Sequence, residues 1–217
     1  MNRYFAPWAL LPDGWHAAVV FEVDDRGTLA AVVPGSSPAG ATLLNGIAIP
    51  GMANAHSHAF QRVFAGYAEG RGADDFLRWR DTMYDVANRL DAEAIEAVTA
   101  AAYVEMLEAG YTSAGEFHYL HHAPDGTPYP NPIETWERVA AAAHTAGIGL
   151  TLLPALYRFS DAGGVAPLAE QRRFVHSVES FVTRGGSRTP HSANVRACAW
   201  AWPFTRFALS TPATFAR

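Results

Sequence analysis

The sequence predicts an α/β fold, a parallel sheet of strand–helix units behind a small N-terminal β module. Three observations carry that expectation. From residue 47 onward, candidate strands and helices alternate, the pattern of βαβ units. Ile148 to Leu156 is a nearly continuous apolar run, as suits a strand covered on both faces. The chain has 217 residues, 49% hydrophobic and 17% charged, enough for one good core or two modest ones.

Residues 1–48 are expected to form the β module. Ala17–Val23 has strand character, Asp24–Gly27 is a turn, Thr28–Val33 resumes the strand, and Pro34 to Pro38 breaks it. Residues 49–182 hold the strand–helix units. The segment IAIPGMANAHSH, Ile47 to His58, reads as a buried strand ending in a loop, with a helix over Ala59–Ala68 after it. A second helical stretch covers 74–88, and a long helix Ala92–Ala109. Asp91 suits its N-cap, Glu93 its first turn and Gly110 its stop. Ile95, Val98, Ala102 and Met106 recur at helical spacing as its buried stripe. Thr112–Leu120 is the next strand, Pro132 opens a helix ending near Gly147, Ile148–Leu156 is a strand again, and Leu168–Val182 a helix. Long loops follow the strands, where α/β enzymes place their chemistry.

Residues 183–217 differ from what precedes them. They contain no Asp or Glu, show no helical or strand period, and hold the one cysteine, Cys198. The whole chain is acidic, with a formal charge of −5 and no long basic run, so nucleic acid and anionic membrane are not expected partners. A small anionic substrate is compatible, since a few local arginines override the global sign. One cysteine allows no intrachain disulfide, which fits a reducing compartment. The apolar stretch in MNRYFAPWALLPDGW is short, proline-broken and without a clear cleavage site, so a signal peptide is not expected, and no segment approaches the roughly 20 apolar residues that span a bilayer. A soluble, cytoplasmic protein is expected.

The chemistry concentrates in His56-Ser57-His58. On a strand, residues i and i+2 share a face about 6.5–7 Å apart, so two imidazoles can converge on one ion. Imidazole nitrogen suits zinc at about 2.0–2.1 Å, and a catalytic zinc needs at least one further protein ligand and an open position for water. With 9 histidines in 217 residues, chance alone yields about 0.4 such pairs, so the spacing is weak evidence and the setting carries it. The pair ends an apolar strand, follows Pro50-Gly51 and precedes a helix.

That setting resembles a known family. PGMANAHSHAFQR is similar to the first barrel strand of the amidohydrolase superfamily. WRDTMYDVANRL, YVEMLEAGYT, EFHYLHHAPDGTPY and GIGLTLLPALY, in that order, resemble the N-formimino-L-glutamate deiminases of histidine degradation, over roughly residues 8–182. The resemblance implies a distorted (β/α)8 barrel, of which this chain would hold the first three or so βα units. It also implies a flanking β-sandwich to which 1–48 would belong, and one zinc ion. The implied reaction is hydrolysis of N-formimino-L-glutamate to N-formyl-L-glutamate and ammonia. By resemblance His56 and His58 are zinc ligands, and Gln61, Arg80 and Tyr119 contact substrate, Arg80 through its carboxylate. Strand parity leaves Tyr119 open: Glu116 and His118 fall on one face, Phe117 and Tyr119 on the other, and the sequence does not say which face is inside. His118, His121 and His122 are read as loop or supporting groups, because the resemblance assigns them no metal role.

The family is about twice this length, and its remaining metal ligands and acid–base residues lie on later strands without matching segments here. His176 and His191 are given none of those roles. A frame shift near residue 183, or a truncated gene model, is the hypothesis for 183–217, and translating the coding DNA in the other two frames tests it. The chain alone is expected to be inactive or nearly so. A homodimer would follow the family's tendency. Two other readings stand beside the deiminase: a different amidohydrolase, such as a cyclic nucleobase deaminase, and a non-catalytic half-barrel completed by another polypeptide.

Overall fold

A computed structural model describes residues 1–67, 75–187 and 195–197. Much of the atypical segment, including His191 and Cys198, lies outside the described residues, as does Ala68. The chain divides into two compact units, Met1–Gly51 and Met52 onward.

The first unit is a four-stranded sheet of order β3-β2-β1-β4, made of β1 (Asn2–Leu11), β2 (Gly14–Val23), β3 (Leu29–Val33) and β4 (Thr42–Leu43). Strands β1, β2 and β3 pair antiparallel, and β4 joins β1 in parallel. The sequence reading missed β1 as a strand, because Pro7 breaks its pattern. The register pairs Ala6 with Val19 and Trp8 with Ala17, leaving Pro7 opposite Ala18, whose φ is +55°. Proline has no N–H to give the ladder, and the irregularity sits at that residue.

The second unit is an α/β layer structure. Its parallel sheet has the order β5-β6-β7-β8: β5 (Met52–Ser57), β6 (Tyr111–His118), β7 (Gly149–Pro154) and β8 (Val195–Ala197). Helices α1 (Asp75–Ala87) and α2 (Ala92–Glu108) lie between β5 and β6, α3 (Glu134–Ala146) between β6 and β7, and α4 (Val178–Ser187) between β7 and β8. The strands follow one another in chain order without reversal, which is the arrangement of a barrel wall and not of a doubly wound sheet. Among the described residues this is part of a barrel. None of the described helices is long and apolar enough to cross a membrane.

Local chemistry accounts for the elements. The Asp91 carboxylate accepts from the Ala94 N–H at 2.8 Å and caps α2. Gly147, at φ +84°, stops α3 in the left-handed conformation. The buried side of α2 carries Ala92, Ile95, Thr99, Ala102 and Tyr103, so the expected stripe is rotated: Val98 and Met106 are only half-buried. It packs in one core with Trp136, Val139 and Ala143 of α3 and Leu150 and Leu152 of β7.

Two expected helices are corrected. In place of a helix over Ala59–Ala68 stands a 3₁₀ turn, Ala59–Phe64. The Ala59 N–H is drawn to the side chain of Glu116 instead, and Gly66 turns the chain at φ +86°. In place of a helix over Leu168–Val182 stand a 3₁₀ turn, Ala169–Gln171, a buried strap and only then α4. The strap's backbone has other partners: the Arg173 carbonyl accepts from both His121 and His122 N–H, and the His176 N–H donates to the Tyr157 carbonyl. Those bonds compete with helix formation.

Candidate active site

His56 and His58 stand at the C-terminal end of β5, where barrel enzymes gather their polar residues. The strand reaches that end through a bulge. Asn54 pairs with Ala114 and Ser57 with Glu116, three steps on β5 against two on β6. A bulge re-aims the side chains beyond it, and here it buries Ser57 while its two histidine neighbours stay accessible. Gly115 makes room, since a Cβ there would lie 3.1 Å from the Ala55 carbonyl oxygen. The Asn54 side chain accepts from the His56 N–H at 3.1 Å and closes the bulge.

The two rings converge. Their Nε2 atoms are 2.9 Å apart, and the rings meet edge to face at 4.8 Å. His58 Nδ1 donates to the Phe117 carbonyl at 2.8 Å, so its Nε2 carries a lone pair, and His56 Nε2–H donates into it. Burial, the largest effect, and the neighbouring His56 both lower the His58 pKa, against the opposing bond to Phe117. His58 is therefore biased toward its neutral form, the state in which an imidazole ligates a metal. A tetrahedral zinc with bonds of about 2.0–2.1 Å separates two nitrogens by about 3.3–3.4 Å, so a cation replacing the shared proton needs only a slight opening of the pair. The donor set fits a zinc-type ion. Among the described residues, no group of three or more His, Cys, Asp or Glu is placed to hold a metal.

The parity question on β6 is answered by its contacts. Glu116 and His118 point into the helix layer, Glu116 to the Tyr103 hydroxyl of α2 at 3.2 Å and His118 to Thr135 of α3 at 3.0 Å. Phe117 and Tyr119 lie on the histidine side, with ring centroids 5.7 and 5.2 Å from His58. Gln61, in the 3₁₀ turn, donates its amide to the Tyr119 hydroxyl oxygen at 2.7 Å. The structure thus brings together His56, His58, Gln61 and Tyr119. Arg80, half-exposed on α1, lies 3.4 Å from the Asp81 carboxylate, and no described contact joins it to those four. His56 and His58 also line a cleft of about 380 Å³ with Asn54, Met106 and the Arg62–Glu105 ion pair.

His118, His121 and His122 are buried fasteners of the β6 loop. His121 donates to the Ala155 carbonyl at 2.8 Å and accepts from the Trp136 indole at 3.1 Å, while His122 donates to the Val175 carbonyl at 3.1 Å. Sequence reasoning gave Glu116 no role at the site. A lone acid inside the otherwise uncharged strand TSAGEFHY was the available signal. It is 1% exposed, and burial pushes its pKa up to about 7 against bonds to Ser57, Ala59 and Tyr103.

The fold, and polar residues gathered at strand C-termini, define the class: the chain belongs to the amidohydrolase family, whose pattern matches residues 47–194. More particularly, it is 47% identical over 184 residues to the formimidoylglutamate deiminase of Pseudomonas aeruginosa, covering 84% of this chain and 41% of that enzyme. The crystal structure of an amidohydrolase from Brucella melitensis superposes with a TM-score of 0.80 at 46% identity, over 86% of this chain and 42% of the other. An atrazine chlorohydrolase of Arthrobacter aurescens TC1, solved complexed with zinc, shares the fold at a TM-score of 0.61 and 16% identity, over 91% and 46%. The chain spans a little under half the length of these relatives.

Proposed function

We propose that this chain carries one part of a zinc-dependent deiminase centre that hydrolyses N-formimino-L-glutamate to N-formyl-L-glutamate and ammonia, a step of histidine degradation. The convergence of His56 and His58 Nε2 at 2.9 Å carries the metal centre. The choice of substrate is supported by the 47% identity to a formimidoylglutamate deiminase.

His56 and His58 would hold the zinc through Nε2, with the Phe117 carbonyl fixing the His58 tautomer. When bound, zinc supplies Lewis acidity and a water of lowered pKa. The Tyr119 oxygen accepts from Gln61, so its own proton is free to donate to an acceptor on the substrate. Arg80 offers a planar fork suited to a carboxylate, which gives a small anionic substrate its counter-charge. Overall, water adds to the formimino carbon, the C–N bond to the imino nitrogen breaks, and that nitrogen leaves as ammonia.

Two imidazoles alone fall short of a catalytic zinc shell. Purified chain loaded with zinc is expected to release ammonia from N-formimino-L-glutamate at or near the uncatalysed rate. Rapid turnover is expected once a polypeptide supplying the later barrel strands is added or fused, and its loss in His56→Ala and His58→Ala. Full activity of the 217-residue chain alone would overturn the division of the site. A completed barrel that ignores formiminoglutamate but deaminates a cyclic nucleobase would overturn the substrate.

A further inference from the structure

We propose that Glu116 is the positioning residue of the His56/His58 pair, a role that rests on the metal-centre reading above. Its carboxylate is buried, and no described ion pair reaches it. A buried acid without a cation needs hydrogen-bond donors, and those found here are telling. Oε1 accepts from the Ala59 N–H at 2.8 Å, one residue beyond His58. The Ser57 hydroxyl, between the two histidines, also bonds to it. Oε2 accepts from Tyr103 at 3.2 Å, which ties the carboxylate to α2. Ser57 and Glu116 are register partners across β5 and β6.

Consider what those bonds hold. The Ala59 N–H is the donor that a regular helix after β5 would leave to its own cap, and the Ser57 hydroxyl points the opposite way from both imidazoles. With Ser57 and Ala59 fastened to one carboxylate, the turn between them has one conformation. His56 and His58 then project together on the far side, where their Nε2 atoms meet. No described contact joins Glu116 to either ring. It acts through the backbone, and the neighbouring residue on the same strand, Phe117, completes the arrangement by accepting from His58 Nδ1.

The test uses the full chain labelled with ¹⁵N-histidine. In the parent, the His58 ring nitrogens should show one fixed tautomer, protonated at Nδ1. Glu116→Gln cannot accept from all three donors. It is expected to leave the far-UV spectrum intact, to average the His58 tautomers and to weaken zinc binding about 10–100-fold in a chelator competition. Tyr103→Phe removes only the tie to α2 and should leave the His58 signals in place. Unchanged His58 signals in Glu116→Gln, or equal changes in Tyr103→Phe, would mean that the carboxylate serves the core and not the pair. Should Glu116→Gln fail to fold, Ser57→Ala removes one donor, leaves the carboxylate and decides the same question. If zinc does not move the His56 and His58 signals of the parent, the metal reading fails, while the tautomer comparison still decides the role of Glu116.

Discussion

At the scale of single residues, the site is a matter of one-ångström tolerances. Gly115 shows this most directly. An added Cβ would sit 3.1 Å from the Ala55 oxygen and 3.4 Å from its carbon, both backbone atoms of the β5 bulge. Gly115→Ala should therefore destabilise the chain by about 1–3 kcal/mol, the range for overpacking a close contact. It should also displace the bulge that aims His56. A urea midpoint equal to that of the parent would show that the strand yields freely. The His-x-His spacing was legible at this scale, because i and i+2 share a face of any strand. The bulge ahead of it was not, since nothing local in MANAHS distinguishes a regular ladder from one with an extra residue.

At the scale of elements, local signals served best where a helix ends in solvent. Asp91 caps α2 as its sequence predicts, and Asp91→Ala should cost about 1 kcal/mol, read as a lower midpoint in chemical unfolding with an unchanged slope. A midpoint within error of the parent would show the cap to be redundant. Local signals served worst where backbone groups find tertiary partners. The stretch Leu168–Val182 has a helical pattern, yet Arg173 and His176 spend their main-chain groups on His121, His122 and Tyr157. The same holds for Ala59, whose N–H goes to Glu116. The face of β6 is the third case. Both of its sides are covered, Glu116 and His118 by helices, Phe117 and Tyr119 beside His58. Hydrophobic alternation cannot mark the inside of a strand whose two faces are both wanted dry.

At the scale of the molecule, four buried histidines set the response to acid. Burial, first among the causes, lowers His118 to about 4 and His176 to about 3, and lowers His121 and His122 as well. Each therefore binds fewer protons folded than unfolded, where an imidazole titrates near pH 6.5. Their stabilising neutral form is fully present above pH 6.5 and is lost as pH falls toward 4 and 3. Glu116, raised to about 7, has the opposite sign: its contribution is full below its unfolded pKa near 4.5 and declines as pH rises to 7. Glu116 is one carboxyl against these four imidazoles and His58, which burial also lowers, so the urea midpoint at pH 5 is expected below that at pH 7.5. His176→Gln should flatten the difference. A midpoint independent of pH over that range would show that these rings stay solvated.

The sequence by itself determined the fold class, because alternating strand and helix patterns are local properties of the chain; it set the two histidines at a strand's i, i+2 spacing, and it pointed to the family through the resemblance of several segments in order. Only the tertiary structure decided that Tyr119 and not Glu116 shares the histidine side, that Gln61 reaches Tyr119, and that a buried carboxylate fastens the turn between the two rings. Each of those depends on which distant backbone donor or helix face comes within 3 Å. A chain fixes that only when its layers pack.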